Sequence, residues 1–448
     1  MSNTPLRRHR GYVAVLGLSA LLTAPAMAED AAGNDKAIAL GRGLFAREWV
    51  VGDARSHGGD GLGPVYNERS CAGCHHLGGP GGAATADKNI DILSPAGDAS
   101  SNGGFFYAFS MNFGGEGFDY RISNNAPNTR PKPVDVAALV RLHPGFREAS
   151  SVVLHRYGPD ADYRSWREQV PGPHGTVALR VTQRNPTPLF GIGLIDGIPD
   201  EAIEAAARRR LPAASAVKGR VSRLADGRVG RFGWKAQTAT LREFVLSAAA
   251  GELGLEVPGR RQAADPRVPP IAAPGLDLNE DECTALTAYV ASLPPPRVLP
   301  PGDMKQERTL KAGATTFRAI GCAHCHVPKL GKVDGLYSDL LLHDMSPLLA
   351  DTGFYGVFTA SDPAPAPKRG PNGKPAGANV QEWRTPPLWG LRDSYPYMHD
   401  GRAETIEQAI AFHGGEGAGA AQRYAQLSAR ERQQVEEFLL SLAAPKQP

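Results

Sequence analysis

The chain contains Cys71-Ala-Gly-Cys74-His75 and Cys322-Ala-His-Cys325-His326, two C-x-x-C-H strings that use four of its five cysteines. At this spacing two thiols add across the vinyl groups of one haem, and the histidine that follows binds the iron from one face. A C-x-x-C pair also serves as a disulfide or as half of a zinc site. A zinc ribbon sets its pairs about 15–20 residues apart, far closer than these two. Neither zinc nor thiol redox chemistry accounts for a histidine directly after both pairs. The pattern predicts two c-type haems (iron), with zinc or a redox disulfide as the competing reading. Such a fold must wrap two macrocycles, each of which supplies part of its own core.

The first 28 residues read as an export signal. Arg7, Arg8 and Arg10 precede an apolar run from Gly11 to Leu22, and Ala26-Met27-Ala28 has the form of a cleavage site. That run is shorter than the roughly 20 residues that cross a bilayer, and no later stretch reads as a membrane span. Haem attachment outside the cytoplasm and an export signal agree on a periplasmic location. The chain has 49 Lys and Arg against 46 Asp and Glu, and three of the arginines fall within residues 1–28, so the remainder is formally neutral. That balance points away from nucleic acid and from anionic membrane surfaces. The 52 glycines and 38 prolines predict long ordered loops between short helices.

The sequence also repeats itself. Leu278 to Leu293 matches Leu427 to Leu442 without a gap, each an amphipathic helix with an N-cap candidate, Asn279 or Ser428. Cys283, the fifth cysteine, falls on the apolar face of the first and reads as a buried spectator thiol. Helix-like runs, Ala37 to Glu48 and Glu307 to Ile320, precede the two haem motifs. Pro188-Leu-Phe-Gly191 echoes Pro387-Leu-Trp-Gly390, and Trp234 to Leu241 echoes His399 to Ile406. Each half thus runs helix, C-x-x-C-H, long irregular stretch, closing helix, the order of a cytochrome c domain. The expected organisation is an N-terminal domain over 29–293 with insertions, a Pro-rich linker over 294–301 and a C-terminal domain over 302–448. The fold class is mainly α: two cytochrome c-like domains, each with one covalent haem, carrying long loop insertions with short strands.

These stretches resemble the bacterial di-haem cytochrome c peroxidase and MauG superfamily, and within it the di-haem oxidoreductase branch. The resemblance rests on Gly61 to His75, Pro188 to Asp196, Gly230 to Ala236, Tyr337 to Met345, Trp383 to Gly390, and His399 to Ala403 running on to Glu416. It covers most of residues 38–440 and is weakest over about 80–175. It does not name a substrate. It implies a periplasmic electron donor or acceptor, peroxide or O₂ as co-substrate, and calcium between the halves, whose ligands the sequence does not identify.

The resemblance also implies ligands. In the peroxidases the C-terminal haem takes a distal methionine just after the helix that follows the His-Asp-Gly motif, and MauG-like proteins use tyrosine. Here His413 stands there, so the resemblance implies His326 and His413 as axial partners, with Met345 and His343 as rivals. The resting peroxidases give the N-terminal haem a distal histidine beyond the proximal one, and the corresponding stretch around Asp91 has none. His75 alone then binds that iron, leaving it open and reactive, unless His143, His155, His174 or His343 reaches it from afar. Peroxide cleavage needs a group that moves a proton between two oxygens, and the aligned carboxylate is Glu252. The pocket glutamine of the peroxidases is replaced by Phe244. Trp234 aligns with the tryptophan between the two haems, and Arg402 offers a charge for a haem propionate.

The function expected is a di-haem c-type oxidoreductase, peroxidase-like, with a reactive N-terminal haem and an electron-transferring C-terminal haem. Two readings compete with it. One is a di-haem electron carrier without substrate chemistry, and the other is a dioxygenase resembling the rubber oxygenase. "Thiol oxidoreductase", a label attached to this branch, finds no support, because Cys283 is the only cysteine left over.

Overall fold

The computed structural model describes residues 24–95, 135–147, 149–213, 215–355 and 377–446. Most of the expected export signal, residues 1–23, lies outside them, as does Met111. The described residues form twelve α-helices joined by long loops, with short strands between. None of these helices is long and apolar enough to cross a membrane.

The frame is two helix crossings built the same way. The opening helix Ala24–Ala46 packs on the closing helix Glu280–Ser292, and Met304–Ala319 packs on Ala429–Leu440. In the first crossing Phe45 meets Tyr289 edge-on at 5.3 Å, and in the second Phe317 meets Phe438 edge-on at 5.5 Å. Glycine lets each pair approach. A Cβ on Gly41 would lie 2.0 Å from the Ala285 carbonyl oxygen, and one on Gly313 would lie 1.9 Å from that of Gln434. Both closing helices begin with a capping box, Asn279 with Glu282 and Ser428 with Glu431, which satisfies two backbone donors reciprocally. Burying a side chain the size of Phe45 or Phe438 contributes roughly 1.5–3 kcal/mol, so the crossings hold each half together.

The other echoes also fold alike. Gly191 and Gly390 both take a left-handed conformation, φ +66° and +73°, ahead of a short helix. Thr240 and Thr405 both cap a helix, Leu241–Glu252 and Ile406–Ala411, by accepting from a backbone N–H three residues on. A further helix, Asp200–Ala207, follows the Gly191 turn in the first half.

The insertion after the first motif builds a four-stranded antiparallel sheet. Ile90–Pro95 pairs with Val152–Val153 on one side and Val177–Arg184 on the other, and Gly172–His174 closes the edge. It has its own apolar cluster, including Leu93, Phe146, Leu154 and Leu179. The Pro-rich segment is not a free spacer: Arg297–Val298 pairs with Leu442–Ala443, and Leu299 N–H donates to the Ser441 carbonyl at 2.8 Å.

Candidate functional site

Each C-x-x-C-H motif opens onto a cavity. Cys71, Cys74 and His75 line one of about 120 Å³, and Cys322, Cys325 and His326 line one of about 330 Å³. The motif histidines are fixed alike. His75 Nδ1 hydrogen-bonds the Gly82 carbonyl at 3.0 Å, and His326 Nδ1 hydrogen-bonds the Tyr337 carbonyl at 3.0 Å. A ring nitrogen that donates to a carbonyl leaves the other as a lone pair for a metal. Burial pulls both imidazoles down to a pKa of about 4, so both are neutral near pH 7. Phe45 and Phe317, from the helix crossings, lie 6.4 and 6.5 Å from these rings.

Burial pushes Cys71, Cys74 and Cys322 up to about 12. All five cysteines are free. Among the described residues, Cys325, Asp339 and His343 come close enough to one another to share a metal. Cys322 is not part of that group, so the C-x-x-C spacing plays no role in it.

His413 lies across the larger cavity from His326, the ring centres 6.4 Å apart. Two metal–imidazole bonds of roughly 2 Å each, plus half of each ring, span about that distance. His413 Nδ1 also hydrogen-bonds a carbonyl, that of Ala409, at 2.7 Å, and burial lowers its pKa. Its fixation repeats that of the motif histidines. Of the rivals, Met345 lines the cavity wall. His343 has both nitrogens engaged, Nδ1 with Glu416 at 2.7 Å and Nε2 with Asp339 at 3.1 Å. Burial opposes its charge, but those bonds and Cys325 hold its pKa up at about 12. Both of its nitrogens are thus engaged by carboxylates.

Among the described residues, one histidine, His75, lines the smaller cavity. The other histidines considered for it are occupied elsewhere. His155 Nε2 meets the Gly251 carbonyl at 2.8 Å, His174 Nε2 meets that of Val170 at 2.8 Å, and His143 Nδ1 accepts from Gly145 N–H at 3.1 Å. Glu252 does line this cavity, at the end of its helix. Asn67 Nδ2 donates to its Oε2 at 2.7 Å and the Tyr355 hydroxyl donates to Oε1. Burial raises Glu252 to about 7, against the pull of those two donors. Tyr355 was not foreseen from sequence, because a partner 103 residues away leaves no local pattern.

The cavities share a wall made of Asn185, Pro186, Thr187, Gly233, Trp234 and Phe244. Trp234 Nε1 donates to the Asn185 carbonyl at 2.9 Å, and its ring meets His399 edge-on at 6.4 Å. His399 in turn stacks on Trp383 at 3.8 Å. Arg402, expected to meet a propionate, turns to Asp400 instead, with Nη2 2.6 Å from Oδ2. An acid two residues away on an exposed turn captures the guanidinium before it can reach a cavity.

Residues 298–442 match the model of a family described as "Di-haem oxidoreductase, putative peroxidase". This bears out the resemblance over that stretch. No curated protein matches the chain. Among solved structures it is similar to the hydrazine synthase of Kuenenia stuttgartiensis pressurized with xenon. The identity is 19%, with 58% of this chain and 73% of that one covered, at a TM-score of 0.32. It is also similar to a MauG-like protein associated with microbial copper homeostasis, at 18% identity, covering 55% and 90%, with a TM-score of 0.28.

Proposed function

We infer that the chain is a periplasmic di-haem oxidoreductase of peroxidase type, in which an open N-terminal site works with an electron-transferring C-terminal site. The observation that carries this reading is the asymmetry of the two cavities: one has two facing imidazoles, and the other has a single imidazole and a buried carboxylate. Bound haem would supply the redox chemistry, storing electrons and activating peroxide or O₂. Cys71 and Cys74 tether one haem and Cys322 and Cys325 the other, as thioethers. His75 Nε2 is the one protein ligand in the smaller site. His326 and His413 would both hold the iron in the larger.

Glu252 is the group that would accept a proton from one oxygen of a bound peroxide and hand it to the other. Its carboxylate is held for this by Asn67 and Tyr355. Trp234 relays electrons through the shared wall. We also propose two domains, 29–293 and 302–448, joined by 294–301, a division that the two helix crossings support.

The test is electron paramagnetic resonance of the ferric protein, with His413→Ala beside wild type. Wild type is expected to give one high-spin and one low-spin signal, and to bind CO when reduced. The variant is expected to lose the low-spin signal. Persistence of that signal unchanged refutes the His413 assignment. Two low-spin signals without CO binding would mark an electron carrier, and a mass without two added macrocycles would remove the haem reading altogether.

A further inference from the structure

Among the described residues three arginines are almost fully buried: Arg184 at 3%, Arg231 at 7% and Arg384 at 5% exposure. Two of them have an acid. Arg184 pairs with Asp351 at 2.6 Å and Arg231 pairs with Asp200. Arg384 has no carboxylate within ion-pair distance among the described residues. Its Nε donates to the Gly233 carbonyl at 2.8 Å and its Nη1 to that of Thr385 at 3.3 Å, and both acceptors are neutral. Burial alone shifts its pKa, down to about 10, with no neighbouring acid to offset it. The group therefore stays charged at neutral pH.

An uncompensated buried charge costs several kcal/mol, and native proteins pair such charges. Arg384 lines the larger cavity, the one across which His326 and His413 face each other. Its backbone N–H also donates to the Trp234 carbonyl at 3.0 Å. The guanidinium is thus fastened to the segment that forms the wall between the two cavities. Its planar fork matches a carboxylate, and a haem brings two carboxylates on its propionates.

We propose that Arg384 is the anchor of a propionate of the C-terminal haem, held against the Trp234 segment. The proposal rests on the haem reading above but not on the identity of the distal ligand. Arg384 is a positioning residue here: it sets where the macrocycle sits relative to the shared wall. It takes the place that charge alone suggested for Arg402.

The test uses the protein loaded with both haems, as wild type, Arg384→Gln, Arg384→Lys and Arg402→Gln. Resonance Raman reads the propionate-bending bands, and spectroelectrochemistry reads the potential of the low-spin haem. Arg384→Gln is expected to shift a propionate band and lower that potential, because a positive charge beside the oxidised haem is lost. Arg384→Lys keeps the charge without the fork, so its band shifts and its potential stays near wild type. Arg402→Gln leaves both unchanged. Wild-type bands and potential in Arg384→Gln would overturn the proposal. If that variant fails to hold haem, an unshifted band in Arg384→Lys overturns it equally. Survival of the low-spin signal in His413→Ala would sink the axial pair and leave these readouts standing.

Discussion

Glu252 ends a helix whose last turn is clasped from the segment before the first haem motif. Asn67 N–H donates to the Glu252 carbonyl at 2.7 Å while the Asn67 side chain donates to its carboxylate. Burial raises this acid from 4.5 to about 7, close to where a proton shuttle works best. Only the ionised form accepts the first proton, so the rate of reaction with hydrogen peroxide should rise with pH through about 7. Glu252→Gln should lower that rate by about 10²-fold or more and flatten the profile. Stopped-flow kinetics from pH 5 to 9 checks this, and an unchanged profile would dismiss Glu252 as the shuttle. The same shift has a stability consequence with a definite sign. A raised carboxyl pKa favours folding fully below 4.5, and that contribution is lost as pH climbs through about 7, at about 1.4 kcal/mol per unit. Glutamine does not ionise, so the melting temperature of Glu252→Gln relative to wild type should climb across the same window.

The helix crossing is the element that the two halves share, and it makes opposite predictions for glycines two residues apart. Gly41 faces the closing helix, where a methyl group would meet the Ala285 carbonyl and also lie 2.7 Å from the Tyr289 Cβ. Gly43, on the same helix, has nothing within 4 Å of its notional Cβ. Gly41→Ala should therefore force the helices apart and cost about 1–3 kcal/mol. Gly43→Ala should stabilise the protein by up to about 1 kcal/mol through helix propensity. Denaturant melts of the two variants should move in opposite directions, and movement in the same direction would mean that the crossing is not close-packed. The closing helices were legible in the sequence because amphipathic period and capping residues are local signals. The repeat also marked Pro188 to Gly191 with Pro387 to Gly390, and Trp234 to Leu241 with His399 to Ile406, as matching stretches, although not the glycine turns and threonine caps that they form. The pairing of Ile90–Pro95 with Val177–Arg184, of Arg297–Val298 with Leu442–Ala443, and of Tyr355 with Glu252 was not legible. Each joins segments far apart in the chain, and nothing in a local window specifies such a partner. Arg384 was missed for a related reason: an arginine's lack of an acid shows only once every neighbour is in place.

At the scale of the whole molecule, duplication has produced two similar frames set on opposite sides of one wall, and two tryptophans lie near it. Trp234 lines both cavities, whereas Trp383 lines the larger one alone. Trp383 is also less fit to lose an electron. Lys235 Nζ sits 3.6 Å from its ring centre, held there by carbonyls of Asn379, Val380 and Glu382. The Arg184 guanidinium also lies over this ring, 4.9 Å from its centre, and a cation there opposes a ring that would itself become positive. Trp234 has no such neighbour among the described residues, and His399 meets it edge-on. An electron passing between the two sites should therefore go through Trp234. In Trp234→Phe, peroxide added to the reduced protein should still react at the open site, but reoxidation of the low-spin haem should lag. The expected slowing is about tenfold or more, the effect of some 1.4 kcal/mol on the barrier. Trp383→Phe should keep the two events coupled, because the wall itself is intact. Stopped-flow absorbance at the bands of the two haems separates these outcomes. Equal slowing in both variants would mean that coupling runs through the stacked Trp383–His399 pair, and that the shared wall is only a partition.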